Sequence, residues 1–197
     1  MSTIVIVKKN HHACIAADSL TTFGNTRQPA SLDVAYDKII KQDDSYVGIV
    51  GSAAHQLVVG SAFTSMNDLD LHGREAIFES FRKLHPILKD AYFLNPKDEE
   101  GDAYESSHID ALVLNSTGIF GLYALREVFE YTRYWAIGSG AEYALGAMHA
   151  LYDQLDDPVA IARVGVEAGA EFDTSSALPM TLYQVNLDEV KSETVLV

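Results

Sequence analysis

Cysteine is almost missing: Cys14 is the only one in 197 residues. That excludes a disulfide framework, and a chain of this length buries enough surface to need neither disulfide nor metal as a staple. Cys14 lies in an apolar strand pattern and is expected to be a small, inert core residue. Cations are scarce as well. Lys and Arg total 14 against 28 Asp and Glu, a net charge of −14. Nucleic acid and anionic membrane both require a basic footprint, so neither is expected as a partner. No apolar run approaches the ~20 residues of a membrane-spanning helix. No charged stretch followed by an apolar run opens the chain as a secretory signal would, so a cytoplasmic protein is expected. The seven histidines show no metal-ligand spacing. A zinc site needs three or four convergent ligands, and no metal or other cofactor is expected.

What is present describes a globular protein. Hydrophobic residues make up 48% and charged residues 21%, outside the range of disorder. There is no linker and no internal repeat, so residues 1–197 are read as one domain. "TIVIVKK" alternates and is β-branched, "NHH" turns it, and "ACIAAD" runs back, giving a hairpin over residues 3–18. Residues 19–37 carry Gly24 and Pro29 and lack periodicity, which reads as an irregular connection. A second hairpin is expected from residues 38–41 and 46–50, turning at Asp43 and Asp44.

Two helices follow, over residues 54–66 and 74–93. The second places Ile77, Phe81, Leu84 and Leu88 on one face, with Pro86 as a site for a kink. Residues 95–107 are acidic and read as a solvated loop. Strands return in "HIDALVLNSTGIFGLYAL", turning at "NSTG", and in "YWAIGSG". Helices are expected over residues 141–155 and 157–172, the latter capped by Asp156 or Asp157 and opening with Pro158. "MTLYQVNL" and "ETVLV" close the chain as strands. Strands succeed one another in hairpins instead of alternating singly with helices. This predicts an α+β fold: a four-layer αββα sandwich of two antiparallel sheets with a helix pair over each.

Five positions can carry chemistry. Removal of Met1 would make Ser2 the first residue, joining a hydroxyl and a free α-amine. An α-amine with a pKa near ~7.7–8.0 serves as a base at neutral pH, and a hydroxyl nucleophile needs such a base beside it. Asp18 ends the strand antiparallel to the first, so the pairing returns it beside Ser2. Lys38, ion-paired to that carboxylate, would place positive charge near the hydroxyl and bias the amine towards its neutral form. Gly48 in "YVGIVGSA" could aim its N–H at a developing oxyanion. In "AIGSGAEYALG" the strand–glycine–serine–glycine–helix turn could bring the Ser139 hydroxyl into the same site. That stretch lacks the βαβ frame and the following acid of a dinucleotide loop. Each position alone also has an ordinary structural explanation: a chance Met-Ser start, a turn-capping Asp, a solvated Lys, a packing glycine.

Taken together, these residues resemble a family. "STIVIVKKNHHACIAADSLTTFGNT" is similar to the opening hairpin of proteasome-type β-subunit and HslV-like peptidases, which are N-terminal-nucleophile hydrolases. "AIGSGAEYALGAMHAL" is similar to their glycine–serine–glycine turn and helix, and "VEAGAEF" to the helix after it. The resemblance runs nearly end to end. It implies Ser2 as nucleophile in place of the family's threonine, Asp18 and Lys38 as acid–base partners, Gly48 as oxyanion donor and Ser139 as a hydrogen-bonding serine near the amine. Thr22, Gly48 and Ser52 become substrate-binding positions. In the proteasome an aspartate orienting the nucleophile follows the helix. "AGAEFDTSS" puts Phe172 or Asp173 there, and Asp173 and Ser175 are taken as orienting residues.

Serine lacks the methyl that restricts χ1 in threonine. A serine nucleophile with an extended acidic loop looks more like the betaproteobacterial proteasome-homologue branch. The family implies a threonine-type (here serine) endopeptidase acting on peptides or unfolded polypeptides. It also implies a homo-oligomer of stacked rings of six or seven subunits, with an ATP-dependent unfoldase as a possible partner. The alternatives are a non-catalytic ring or scaffold, and an N-terminal-nucleophile amidase acting on a small molecule.

Overall fold

The computed structural model describes residues 2–96 and 102–188. The expected opening hairpin forms from β1 (Ile4–Lys9) and β2 (His12–Asp18), with Ile4 opposite Ala17. Residues 19–37 are more ordered than expected. They hold a small hairpin, β3 (Thr21–Phe23) and β4 (Thr26–Gln28), and a 3₁₀ turn at Ala30–Leu32. The second hairpin is β5 (Ile39–Gln42) and β6 (Ser45–Val50). Helices α1 (Ala53–Ser65) and α2 (Arg74–Ala91) follow, and α2 continues through Pro86.

Next come β7 (Asp110–Asn115), β8 (Gly118–Leu122), β9 (Val128–Tyr131) and β10 (Tyr134–Ile137). Strand β9 was not anticipated. Then α3 (Ala141–Leu151), α4 (Pro158–Phe172) and β11 (Met180–Asn186) complete the described fold. Asp157 caps α4 by accepting from the Val159 amide, as the Asp-Pro pair indicated. The closing strand expected at "ETVLV" lies outside the described residues.

The strands form a four-stranded sheet, β10-β1-β2-β11, and a five-stranded sheet, β5-β6-β7-β8-β9, both antiparallel. The period-2 alternation of the two-sided strands builds the layers. In β1, Ile4 and Ile6 join Ile15, Leu112 and Leu114 between the sheets. Val5 and Val7 face the other way, against Met148, Ile161 and Val166 of α3 and α4. Likewise Val113 and Phe120 leave the five-stranded sheet to meet Phe63, Phe81 and Leu84 of α1 and α2. Ile77, Phe81, Leu84 and Leu88 are all buried on the one face the spacing marked. Residues 4 to 7 are each 0% exposed. At about 1.5–3 kcal/mol for each fully buried aliphatic side chain, this central strand is anchored up to the residue after Ser2. Among the described residues no helix is long and apolar enough to cross a membrane.

Candidate active site

The ends of three strands and two helices meet at Ser2. Antiparallel pairing continues past β1, where the Asp18 amide donates to the Thr3 carbonyl at 3.1 Å. The register therefore returns the Asp18 side chain to the start of the chain. Asp18 is 1% exposed, and such burial is tolerable only with a full set of partners. Four donors supply it: the amides of Thr3 (2.9 Å), Leu20 (3.0 Å) and Ala177 (3.1 Å), and Lys38 Nζ at 2.7 Å. Lys38 sits just before β5 with its side chain largely buried. Burial pushes its pKa below the ordinary lysine value. The Asp18 carboxylate beside it, and more weakly Asp173, oppose that shift. The lysine is thus a cation held less firmly than usual, and it lines the same cleft as Ser2.

The glycine–serine–glycine turn clamps Ser2 from the other direction. Gly140 N–H donates to the Ser2 carbonyl at 3.2 Å. Gly138 has φ +96°, and a Cβ there would lie 2.1 Å from that carbonyl oxygen. Only glycine permits both the left-handed backbone and this approach. Ser139 does not act alone. Its hydroxyl donates to Asp173 Oδ2 at 2.7 Å, which places Asp173, and not Phe172, at the site. Asp173 is the C-cap residue of α4. It also accepts from Ser176 Oγ at 2.7 Å and from the Ser175 amide at 3.3 Å. Burial pulls this carboxyl upward, but the Ser139, Ser176 and Ser175 donors outweigh it and hold the pKa below the ordinary aspartate value. Ser175 thus contributes its backbone N–H, and one residue that sequence reasoning missed is Ser176.

A cleft of about 360 Å³ opens at Ser2. Lys38, Thr22 and Ser52 line it, together with Leu20, Tyr36, Ile49 and Gly51. Gly48 does not. It pairs with Ile39 on one side and Leu112 on the other, inside the five-stranded sheet. A Cβ there would fall 2.8 Å from Ile4 Cγ2 and 3.1 Å from Ile15 Cδ1. Its missing side chain lets the two sheets approach, which corrects the oxyanion role expected of it. The glycine that faces the cleft is Gly51, at the β6–α1 junction with φ +125°. Ser52 next to it caps α1, accepting from the Ala54 amide at 3.3 Å. The signal for Gly51 was present: of the two glycines in "YVGIVGSA", the second stands immediately before a helix cap.

Cys14 is buried with its thiol against the Pro158 carbonyl, and burial, reinforced by Asp157, drives its pKa far up. It belongs to the core. Among the described residues no group of three or more His, Cys, Asp or Glu side chains could hold a metal ion.

No protein-family model and no curated protein matches the sequence. Solved structures do. BPH of Thiobacillus denitrificans in complex with epoxomicin is 40% identical. That match covers 94% of this chain and 99% of the other, at a TM-score of 0.88. BPH alone superposes at 0.89 with the same identity, covering 95% and 100%. HslV from Trypanosoma brucei shares the fold at 20% identity and a TM-score of 0.69, covering 93% and 99%.

Proposed function

The chain belongs to the proteasome/HslV-like family of N-terminal-nucleophile hydrolases, with BPH as a 40% identical relative, and from that premise we propose a peptidase whose nucleophile is Ser2 once Met1 is removed. The hydroxyl oxygen of Ser2 attacks a peptide carbonyl. Its proton passes to the α-amine of the same residue through a water. The ammonium of Lys38, buried against Asp18, favours the developing alkoxide and keeps the α-amine neutral. The Gly51 N–H is the donor offered to the tetrahedral oxyanion, a role worth roughly 3–4 kcal/mol in hydrolases. Collapse breaks the C–N bond, and the α-ammonium returns its proton to the leaving amine. Water then attacks the acyl-Ser2 ester, with the α-amine again accepting a proton, and the free hydroxyl is restored. The cleft lined by Thr22 and Ser52 holds the flanking peptide.

The observation that carries this reading is the set Thr3 N–Asp18–Lys38, an ion pair bonded to the residue after Ser2, with Lys38 lining the same cleft as Ser2. The epoxomicin bound to BPH supports it, because that relative accepts a peptide-like inhibitor. Like its family, the chain is proposed to assemble as stacked rings of six or seven copies in the cytoplasm, with the sites facing a chamber and an unfoldase as a possible feeder. The −14 charge would make such a chamber acidic, so basic peptides should be cleaved faster than acidic ones of the same length.

The test is peptide hydrolysis by Met1-free protein, by Ser2→Ala, and by a form that retains Met1. Cleavage by the first alone supports the reading. Cleavage that survives Ser2→Ala rules it out, and no cleavage by any form favours the scaffold.

A further inference from the structure

Thr3 is 0% exposed and holds a hydroxyl that the reaction itself does not need. Its surroundings are shaped for that hydroxyl. A Cβ at Gly140 would lie 2.0 Å from Thr3 Oγ1, and one at Gly169 of α4 would lie 2.2 Å from it. Two helices therefore reach the strand only because glycine stands at both contacts. In this space Thr3 Oγ1 lies 2.8 Å from Ser176 Oγ. The direction of that bond follows from counting protons. A serine hydroxyl has one, and Ser176 donates it to Asp173 Oδ2. Thr3 is then the donor to Ser176, and the hydroxyls form an ordered relay: Thr3 to Ser176 to Asp173. Meanwhile the Thr3 amide donates to Asp18 Oδ1 and its carbonyl accepts from the Asp18 amide.

We propose that Thr3 is a positioning residue that sets both acids of the site relative to Ser2, Asp18 through its backbone and Asp173 through the hydroxyl relay. This rests on Ser2 being the nucleophile. A relay of hydrogen bonds polarises each member, so the first donor strengthens the last bond. Without it, a buried acceptor on Ser176 is left unfilled. Ser176 then turns to find another partner, and Asp173 loses a donor that favours its ionised form.

Thr3→Val keeps the shape and removes the hydroxyl; Thr3→Ser keeps the hydroxyl and leaves a methyl-sized gap. A role in packing alone makes the serine variant the worse of the two. The relay makes the valine variant the worse, with kcat down roughly tenfold or more and KM nearly unchanged. Thr3→Ser should hold kcat within about threefold of the parent, by the same accounting. Equal losses in both variants, a larger loss in Thr3→Ser, or a Thr3→Val loss carried by KM instead of kcat would overturn the proposal. Peptide turnover that survives Ser2→Ala would instead sink the nucleophile itself, a failure this series separates from that of Thr3.

Discussion

Asp18 and Asp173 both connect to Thr3, and they are held in opposite ways. Asp18 ends a central strand at 1% exposure and is bound by backbone amides from three segments and by one buried lysine. Asp173 caps a helix, is only partly buried, and is bound mainly by the hydroxyls of Ser139 and Ser176. A backbone amide cannot turn away without moving the chain, whereas a hydroxyl rotates. The first acid is therefore part of the scaffold, and removing it disturbs fold and chemistry together. The second is an adjustable part, and its loss should be felt in chemistry with little effect on the fold.

The sharpest way to break this contrast is Asp18→Ala. It leaves Lys38 buried without its counter-ion and three amides without an acceptor. Peptide turnover should vanish, and denaturant unfolding should report a loss of about 3–5 kcal/mol, the cost of breaking a buried pair from one side. Asp173→Asn should reduce kcat on the order of 10- to 100-fold while unfolding shifts by about 1 kcal/mol or less. Equal stability losses in the two variants would erase the distinction between them.

The glycines of "YVGIVGSA" carry the same split. Gly48→Ala should cost about 1–3 kcal/mol of stability through overpacking against Ile4 and Ile15, with kcat retained in whatever protein folds. Gly51→Ala should lower kcat about tenfold with a smaller change in unfolding.

The smallest effect concerns pH. The hydrogen bonds that hold Asp173 below the ordinary aspartate value keep it ionised in mild acid. Its contribution to stability is present above the unfolded pKa of about 3.9 and fades as pH falls through the lower folded value. At the alkaline end, the bond from Tyr183 to Asp37, then burial, pushes the tyrosine up to about 12. A raised value means that this bond stabilises the fold below the unfolded pKa of about 10 and is lost as pH rises through about 12. Tyr183 should be among the phenols that ionise late in an ultraviolet titration, and Asp37→Asn should bring its ionisation down.

The same contrast explains what the sequence could reveal. Asp18 was legible because strand pairing has a period and a register: once residues 3–9 pair with 12–18, its return to Ser2 follows. The sandwich was legible for the same reason, from alternation such as Ile4/Ile6 against Val5/Val7. Strand β9 was hidden because an edge strand of four residues, with Phe129 and Glu130 exposed side by side, carries no alternating burial. The hairpin of β3 and β4 was hidden because three-residue strands are too short to show a period. Ser176 and Thr3 were hidden because their partnership spans 173 positions and depends on two glycines, one capping α3 and one within α4, making room. Gly48 misled because a glycine that admits a ligand and one that admits a neighbouring sheet look alike in sequence.

The account stands on Ser2 presenting a hydroxyl and a free amine from one residue, between the two acids. Peptide epoxyketones bond to both groups, so the direct measurement is tandem mass spectrometry of the protein from its own cells after treatment with one. The predicted result is a chain that begins at Ser2 and carries the inhibitor there through two bonds, absent in Ser2→Ala. An active peptidase that still bears Met1, or one that takes up the inhibitor at another residue, would contradict it.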